Sequence, residues 1–219
     1  MTDLEPSSTV KALQSGRIRN SDLAALLYEG FSDNPLWVAV FPGERRKSLL
    51  PWLFERRVQL WPEWSTVGLA DGIVWHYALL PFDAPAHSPS LWRLLQLGLI
   101  QLPFRCKSPA RFFALQRMMS KLRAGVKAVL PGPHDCLEAV VTRRSSRGKG
   151  IMSRVLADRL NRQRRPVVLY TQDLRNVRFY ESLGFHFAIE EQIEIGGSAF
   201  RNWTLIRYPV SNPISIDLP

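Results

Sequence analysis

A basic segment that contains two glycines interrupts the chain at residues 143–150, which read RRSSRGKG. Gly148 and Gly150 can let backbone N–H groups approach a ligand closely, and a helix N-terminus adds partial positive charge. An apolar run at 137–140 precedes the segment, and an amphipathic helical pattern begins at Ile151. This order predicts a loop between a strand and a helix that binds a pyrophosphate group.

Two better-known phosphate-binding motifs fit this segment less well. A Walker loop requires Ser or Thr after its lysine, but Gly150 follows Lys149. A dinucleotide-binding fingerprint requires a third glycine where Ser153 stands. The remaining alternative is a solvated basic turn. The flanking strand and helix patterns favour the phosphate site, around which the four basic residues would add charge.

A second motif, NVRFYESLGF, lies about thirty residues after the glycine loop, at 176–185. Asn176 and Tyr180 are four residues apart on one helical face, and Gly184 is a typical helix end. Together and in this order, the two motifs resemble those of the GNAT acetyltransferase superfamily. That family's acyl-CoA site combines a (Q/R)-G-x-G loop with an N-x-x-x-Y-x-x-x-G-F helix. The resemblance covers 134–207, and residues 20–62 resemble the branch that includes puromycin N-acetyltransferase.

The chain departs from the family pattern within the glycine loop. Arg144 and Arg147 stand where the branch often has proline and glutamine, and Ser145 stands where the superfamily prefers Gln or Arg. Main-chain contacts do not depend on these side chains. Acyl-CoA binding is therefore still expected, while a different acyl group stays open.

The resemblance implies an α/β (α+β) fold, with a mixed, mostly antiparallel sheet whose central strands splay apart and are flanked by helices. It implies an N-acetyltransferase with acetyl-CoA as co-substrate and no metal, in which a small-molecule primary amine attacks the thioester directly. The strand before the glycine loop would pair with the pantetheine arm. The residues implied at the acyl-CoA site are Val140, Val141, Thr142, Arg147, Gly148, Lys149, Gly150, Ile151, Asn176 and Tyr180.

Two residues are candidates for the proton transfers. The resemblance implies that Tyr180 protonates the departing thiolate, a general-acid role worth about 10²–10⁴ in rate. Glu138 is the candidate base, directly or through water, because it lies two residues before Val140 and both side chains would share a face of the strand. Glu138 could equally be a rim carboxylate that pairs with an arginine, and Asn176 could be solvent-exposed helix surface.

The acceptor groove is expected between the early helices and the last hairpin, at about 28–40, 73–80 and 193–203. Aromatic residues there could line it or simply fill the core. A histidine before the third strand could assist in binding. The candidate substrate-binding residues are Trp37, Trp75, Tyr77, His134 and Trp203, with His76 beside them.

The periodicity of the chain predicts the elements that must position these residues. Helical patterns occupy 20–31, 43–61, 89–102 and 109–124, and two short β-rich runs at 65–70 and 73–80 flank the turn signal Asp71-Gly72. From 134 onward, strand, loop, helix, strand, helix and hairpin alternate. We expect a single domain over 1–219, with the acceptor side in 1–133, the acyl-CoA core in 134–207 and a tail at 208–219.

The overall composition leaves two other functions open. A net charge of +10 and a pI near 10.2 indicate attraction to anions, which could be nucleic acid. No recognisable nucleic-acid module accompanies the charge, and basic residues scattered over helices are usually a solvated face. The other alternative is a GNAT-like protein that binds CoA without transfer or acts on a protein amine.

The remaining expectations concern location and assembly. Two cysteines without metal-ligand spacing and a polar N-terminus without a secretory signal favour the cytoplasm. The apolar run 91–104 is short and contains Arg93, which favours a helix covering a sheet over a membrane span. The last hairpin, if exposed, could pair two copies in a homodimer.

Overall fold

The computed structural model describes residues 18–60, 63–70, 72–81, 84, 89–105 and 108–209, so most of the predicted tail lies outside the described residues. The described helices are α1 (Asn20–Phe31), α2 (Pro35–Val40), α3 (Arg46–Arg57), α4 (Leu91–Gln96), α5 (Leu102–Arg105), α6 (Pro109–Val129), α7 (Ile151–Asn161) and α8 (Leu174–Glu181). The described strands are β1 (Ser65–Ala70), β2 (Gly72–Pro81), β3 (Asp135–Thr142), β4 (Val167–Thr171), β5 (His186–Ile195) and β6 (Ser198–Arg207).

The six described strands form one mixed sheet in the order β1-β2-β3-β4-β6-β5. Only β3 and β4 run parallel, because α7 carries the chain back between them, and the other neighbours are antiparallel. The predicted hairpins at 65–80 and 186–207 are both present. The mixed, mostly antiparallel sheet is therefore confirmed.

The two central strands separate soon after they meet. Asp135 pairs with Val167 and Cys136 pairs with Val168, and no further pairs follow. β3 nevertheless continues to Thr142 and β4 to Thr171. Their facing backbone edges are thus left without a ladder, which confirms the predicted splay.

A β-bulge interrupts β3 at Ala139 and Val140. These two residues lie opposite the single residue Tyr77 of β2, and Ala139 has a φ of 53°. Such a φ is uncommon for a residue that carries a side chain. Other contacts must therefore hold the backbone in this conformation.

The side chain of His76 supplies these contacts. Its Nδ1 lies 3.0 Å from the Ala139 carbonyl oxygen, and its Nε2 lies 3.2 Å from Ser65 Oγ. Because a carbonyl only accepts, Nδ1 carries the proton and Nε2 accepts from the serine hydroxyl. Complete burial lowers the pKa of His76 to about 4, so the ring is neutral at physiological pH.

Helices cover both faces of the sheet. The larger core lies between one face and α1, α2, α3 and α6, with Leu27, Leu50 and Leu122 among its fully buried residues. The second core lies under α7 and α8 on the other face, where Leu156 and Leu160 pack on β3, β4 and β6. Burial of these leucines favours the fold by about 1.5–3 kcal/mol each.

The bulge changes which face the β3 side chains occupy. Leu137 and Val140 both pack into the second core, whereas Val141 packs into the first. Glu138 lies with Cys136 on the α6 side. The prediction that Glu138 and Val140 share a face is therefore wrong, because the extra residue at Ala139 breaks the alternation of the strand.

The apolar run 91–104 does not form the one long covering helix that was predicted, although Leu102 packs in the first core. Gly98, with a φ of 68°, interrupts the predicted helix after Gln96, and Trp92 and Phe104 are exposed. The covering helix is instead α6, which extends to Val129 and packs on β4 and β6. None of the described helices combines the length and hydropathy that crossing a bilayer requires.

Candidate active site

The glycine loop has the backbone conformation that its sequence predicts. Gly148 and Gly150 have φ values of 75° and 66°, in the left-handed region that favours glycine. Gly150 directly precedes α7. A Cβ placed on either glycine would meet nothing within 4 Å, so the backbone on this side of the loop is open.

The end of the glycine loop and the first turn of α7 present six consecutive backbone N–H groups, those of residues 148–153. Ile151, Met152 and Ser153 form the first turn of α7, where amides have no partner inside the helix. Within the described part of the chain, neither these amides nor those of residues 148–150 form a backbone hydrogen bond. Free amides at a helix N-terminus attract an anion, and their arrangement suits a diphosphate.

Two arginines fix the start of the loop. Arg143 donates from Nε to the Ile73 carbonyl oxygen of β2 at 3.0 Å. Arg144 donates its backbone N–H to the Glu29 carboxylate, and its Nη2 lies 3.3 Å from Asp33 Oδ2. The C-terminal part of α1 and the turn after it thus hold the loop, a role that no spacing in the sequence indicated for Glu29 or Asp33.

Arg147 binds the end of β3. Its Nε donates to the Thr142 carbonyl oxygen at 3.0 Å. The Arg143 N–H donates to the Val74 carbonyl oxygen of β2. Because the backbone groups of neighbouring residues in a strand point to opposite edges, the Thr142 carbonyl points away from β2, to the edge where β3 and β4 separate. The guanidinium therefore lies on an edge that the resemblance assigns to the pantetheine arm. Lys149, at the exposed tip, forms no ion pair with the described residues.

Tyr180 lies in the second core, on α8. Its ring makes edge contacts with Phe179 and Phe185, at centroid distances of 5.1 Å and 5.7 Å. Burial raises the pKa of the Tyr180 phenol, so the hydroxyl keeps its proton at neutral pH. A protonated phenol is the state that a general acid requires.

The ends of α8 are capped as the sequence predicts. Asp173 Oδ1 accepts from the Arg175 amide at 2.8 Å, and hydrogen bonding from Arg175 lowers the pKa of the Asp173 carboxyl. Gly184 ends the segment with a φ of 82°. Asn176 donates from Nδ2 to Thr171 Oγ1 at 3.4 Å, which places it over the C-terminal end of β4.

A cavity of about 350 Å³ lies between α6 and the sheet, beside Glu138. Glu138 Oε2 is 3.4 Å from Arg57 Nη2, and its Oε1 is 3.9 Å from Cys136 Sγ. Burial raises the pKa of both Cys136 and Tyr170. The residues that line the cavity are Met119, Arg123, Ala124, Val126, Lys127, Leu130, Pro131, His134, Cys136, Glu138 and Tyr170.

The five predicted substrate-binding residues lie in three different places and do not form one site. Trp37 is only 8% exposed and stacks on Phe41 in the first core. Tyr77 and the half-buried Trp75 stack on each other in the second core, at 6.0 Å, and Trp203 packs there as well. Only His134, whose Nδ1 is 3.1 Å from the Gly132 carbonyl oxygen, lines the cavity.

A polar network beyond the end of β4 was not anticipated. Asn34 Nδ2 donates to Gln172 Oε1 at 3.1 Å, and Gln172 Nε2 donates to Asn202 Oδ1 at 2.6 Å. Asn202 Nδ2 and Thr204 Oγ1 are buried without a partner in the described residues. A glutamine directly after a predicted buried strand was the signal that could have indicated this position.

The described residues contain no group of three His, Cys, Asp or Glu side chains that could hold a metal ion.

The sequence matches no family model, and it matches none of the curated proteins.

Solved structures do resemble the chain over nearly its whole length. One is histone acetyltransferase HPA2 and related acetyltransferase from Corynebacterium glutamicum, with a TM-score of 0.56, 18% identity and coverage of 93% of this chain and 94% of that one. Another is the polyamine N-acetyltransferase of Drosophila melanogaster, with a TM-score of 0.57, 13% identity and coverage of 91% and 96%. The puromycin branch stays a prediction. The chain therefore has the fold of the GNAT acetyltransferases.

Proposed function

We propose that the protein is an N-acetyltransferase that uses acetyl-CoA to acetylate the primary amine of a small molecule. The observation that carries the proposal is the row of free amides at the start of α7, beside the edge where β3 and β4 separate. Acetyl-CoA has a diphosphate for the amides and an amide-containing arm for a strand edge. It supplies an acetyl group that is activated as a thioester.

The chain's own residues suit this co-substrate. The amides of residues 148–153 and the charge of Lys149 would bind the diphosphate. The β3 edge from Val140 to Thr142 and the amide side chain of Asn176 would bind the arm. Arg147 would have to leave the Thr142 carbonyl oxygen, or stay and orient it, because its Nε donates to that atom.

Two side chains suit the proton transfers. Glu138 would accept the proton of the acceptor ammonium, directly or through water, while Arg57 balances the carboxylate charge. The free amine would then attack the thioester carbonyl, forming a C–N bond as the C–S bond breaks. Tyr180 would give its proton to the departing thiolate, since burial keeps the phenol protonated. The proton that the acetylated nitrogen then loses would restore the Tyr180 phenol.

The first experiment measures co-substrate binding and transfer together. Acetyl-CoA at micromolar concentration should raise the Tm, and an amine library should release free CoA thiol. Stabilisation without thiol release from any amine would favour a CoA-binding protein without transfer. A protein that ignores CoA but binds RNA at low salt would support the nucleic-acid alternative.

The Tyr180→Phe variant tests the assigned acid. It should lower kcat about 100-fold or more, while the Kd for CoA changes little, because the ring and its packing remain. Tyr208→Phe, at an exposed tyrosine, is the matched control. An unchanged kcat in Tyr180→Phe would remove the phenol from the mechanism.

A further inference from the structure

The cavity beside Glu138 opens where the central strands separate. Glu138 lies two residues beyond Cys136, and Tyr170 lies two residues beyond Val168, the last residues of β3 and β4 that pair with each other. Both side chains line the cavity on the α6 side of the sheet. The cavity is thus next to the strand edge that binds the co-substrate in the proposed function.

The charges around this cavity do not suit a polycation. Among the described lining residues, Glu138 is the only carboxylate, whereas Arg123 and Lys127 are cations. Arg57, 3.4 Å from Glu138, already balances that single negative charge. Because Arg57 already faces Glu138, Lys127 would repel the further ammonium groups of such a molecule.

The size and the walls of the cavity limit the acceptor further. A volume of about 350 Å³ lies at the lower end of the range of small-molecule sites, about 300–1,000 Å³, and suits a small acceptor. Met119, Val126, Leu130 and Pro131 form an apolar part of the cavity wall. Such a wall favours an apolar group on the bound molecule.

We propose that the acceptor is an amino acid or a close analogue, with a primary amine, a carboxylate and an apolar side chain. The proposal rests on the proposed function and narrows its substrate class. Glu138 faces the amine, Lys127 attracts the carboxylate, and the apolar wall contacts the side chain. This acceptor differs in charge from the polyamines named for the Drosophila neighbour.

Matched acceptor pairs that differ only in the carboxylate test this proposal. L-Phenylalanine is compared with 2-phenylethylamine, and L-leucine with 3-methylbutylamine, by CoA thiol release with acetyl-CoA in excess. We expect kcat/KM for each amino acid to exceed that for its amine about tenfold or more. Equal values, or preference for the amines or for agmatine, would overturn the proposal and leave the transfer reaction standing.

A charge reversal at the rim gives a second, independent readout. Lys127→Glu should lower kcat/KM for L-phenylalanine about tenfold and leave that for 2-phenylethylamine unchanged or higher. Arg117→Glu, at an exposed residue of α6 outside the cavity lining, is the matched control and should change neither value. An equal loss on both acceptors in Lys127→Glu would contradict the assigned carboxylate contact. No thiol release from any amine would count against the proposed function itself, and this inference would fall with it.

Discussion

Replacing His76 by phenylalanine removes the two hydrogen bonds that hold the β3 bulge while it keeps a ring of similar size. The Ala139 carbonyl and the Ser65 hydroxyl would lose their partner in the interior. Each unsatisfied buried group costs about 1–3 kcal/mol, and the more apolar ring offsets part of this. We expect the free energy of unfolding at pH 7 to fall by about 2–4 kcal/mol.

The same substitution has a defined pH dependence. The folded-state pKa of His76 is about 4, below the 6.5 of an unfolded chain, so the unfolded state binds more protons between these values. Stability from this group is therefore complete above pH 6.5 and falls as the pH drops toward 4. At about 1.36 kcal/mol for each pKa unit, the loss amounts to about 3 kcal/mol.

Urea unfolding of both proteins at several pH values between 4 and 7.5 measures this effect. The stability difference between wild type and His76→Phe should be largest at pH 7 and should almost vanish at pH 4. His186→Phe, at an exposed histidine of β5, is the control and should show no such convergence. A difference that stays constant with pH would refute the neutral, doubly hydrogen-bonded imidazole.

Three further substitutions test other parts of the structure. Gly148→Val places a side chain on a left-handed residue that faces open space; it should raise the Kd for CoA at least tenfold by calorimetry, and an unchanged Kd would disprove the phosphate loop. Glu138→Gln should lower kcat about 100-fold at an unchanged Kd for CoA, and full activity would exclude Glu138 as the base. Arg207→Met removes a buried guanidinium that donates to two carbonyl oxygens and to Asn161. We expect a loss of about 2–4 kcal/mol in urea unfolding, against none for the control Arg178→Met at an exposed residue.

The parts of the fold that depend on local pattern were predictable from the sequence. Hydrophobic periodicity located α1, α7 and α8, the Asp71-Gly72 turn signal located the first hairpin, and the alternation of elements after residue 134 located the last one. The glycine loop was predictable because its residues act through their own backbone conformations. Such features depend only on residues that are close to one another in the sequence.

Features that depend on distant residues were not predictable. The bulge at Ala139 is held by His76, which is 63 positions away in the sequence. Strand alternation alone therefore placed Glu138 and Val140 on one face, although they lie on opposite faces. The apolar run 91–104 was expected to cover the sheet, but the longer α6 occupies that face. The cavity is lined by residues of α6, β3 and β4. Hydrophobic periodicity within a single sequence does not show which helix packs on which strand, so this cavity could not be predicted.

The short pairing between β3 and β4 affects how a ligand can enter. The half-sheet β1-β2-β3 and the half-sheet β4-β6-β5 share ladder pairs only at the two positions Asp135–Val167 and Cys136–Val168. An elongated ligand can therefore bind between the separated parts of β3 and β4 without breaking a hydrogen bond between the two strands. Apart from the Thr142 carbonyl oxygen, which already accepts from Arg147, the ligand would add hydrogen bonds along β3 where no other strand pairs with it, and so extend the sheet.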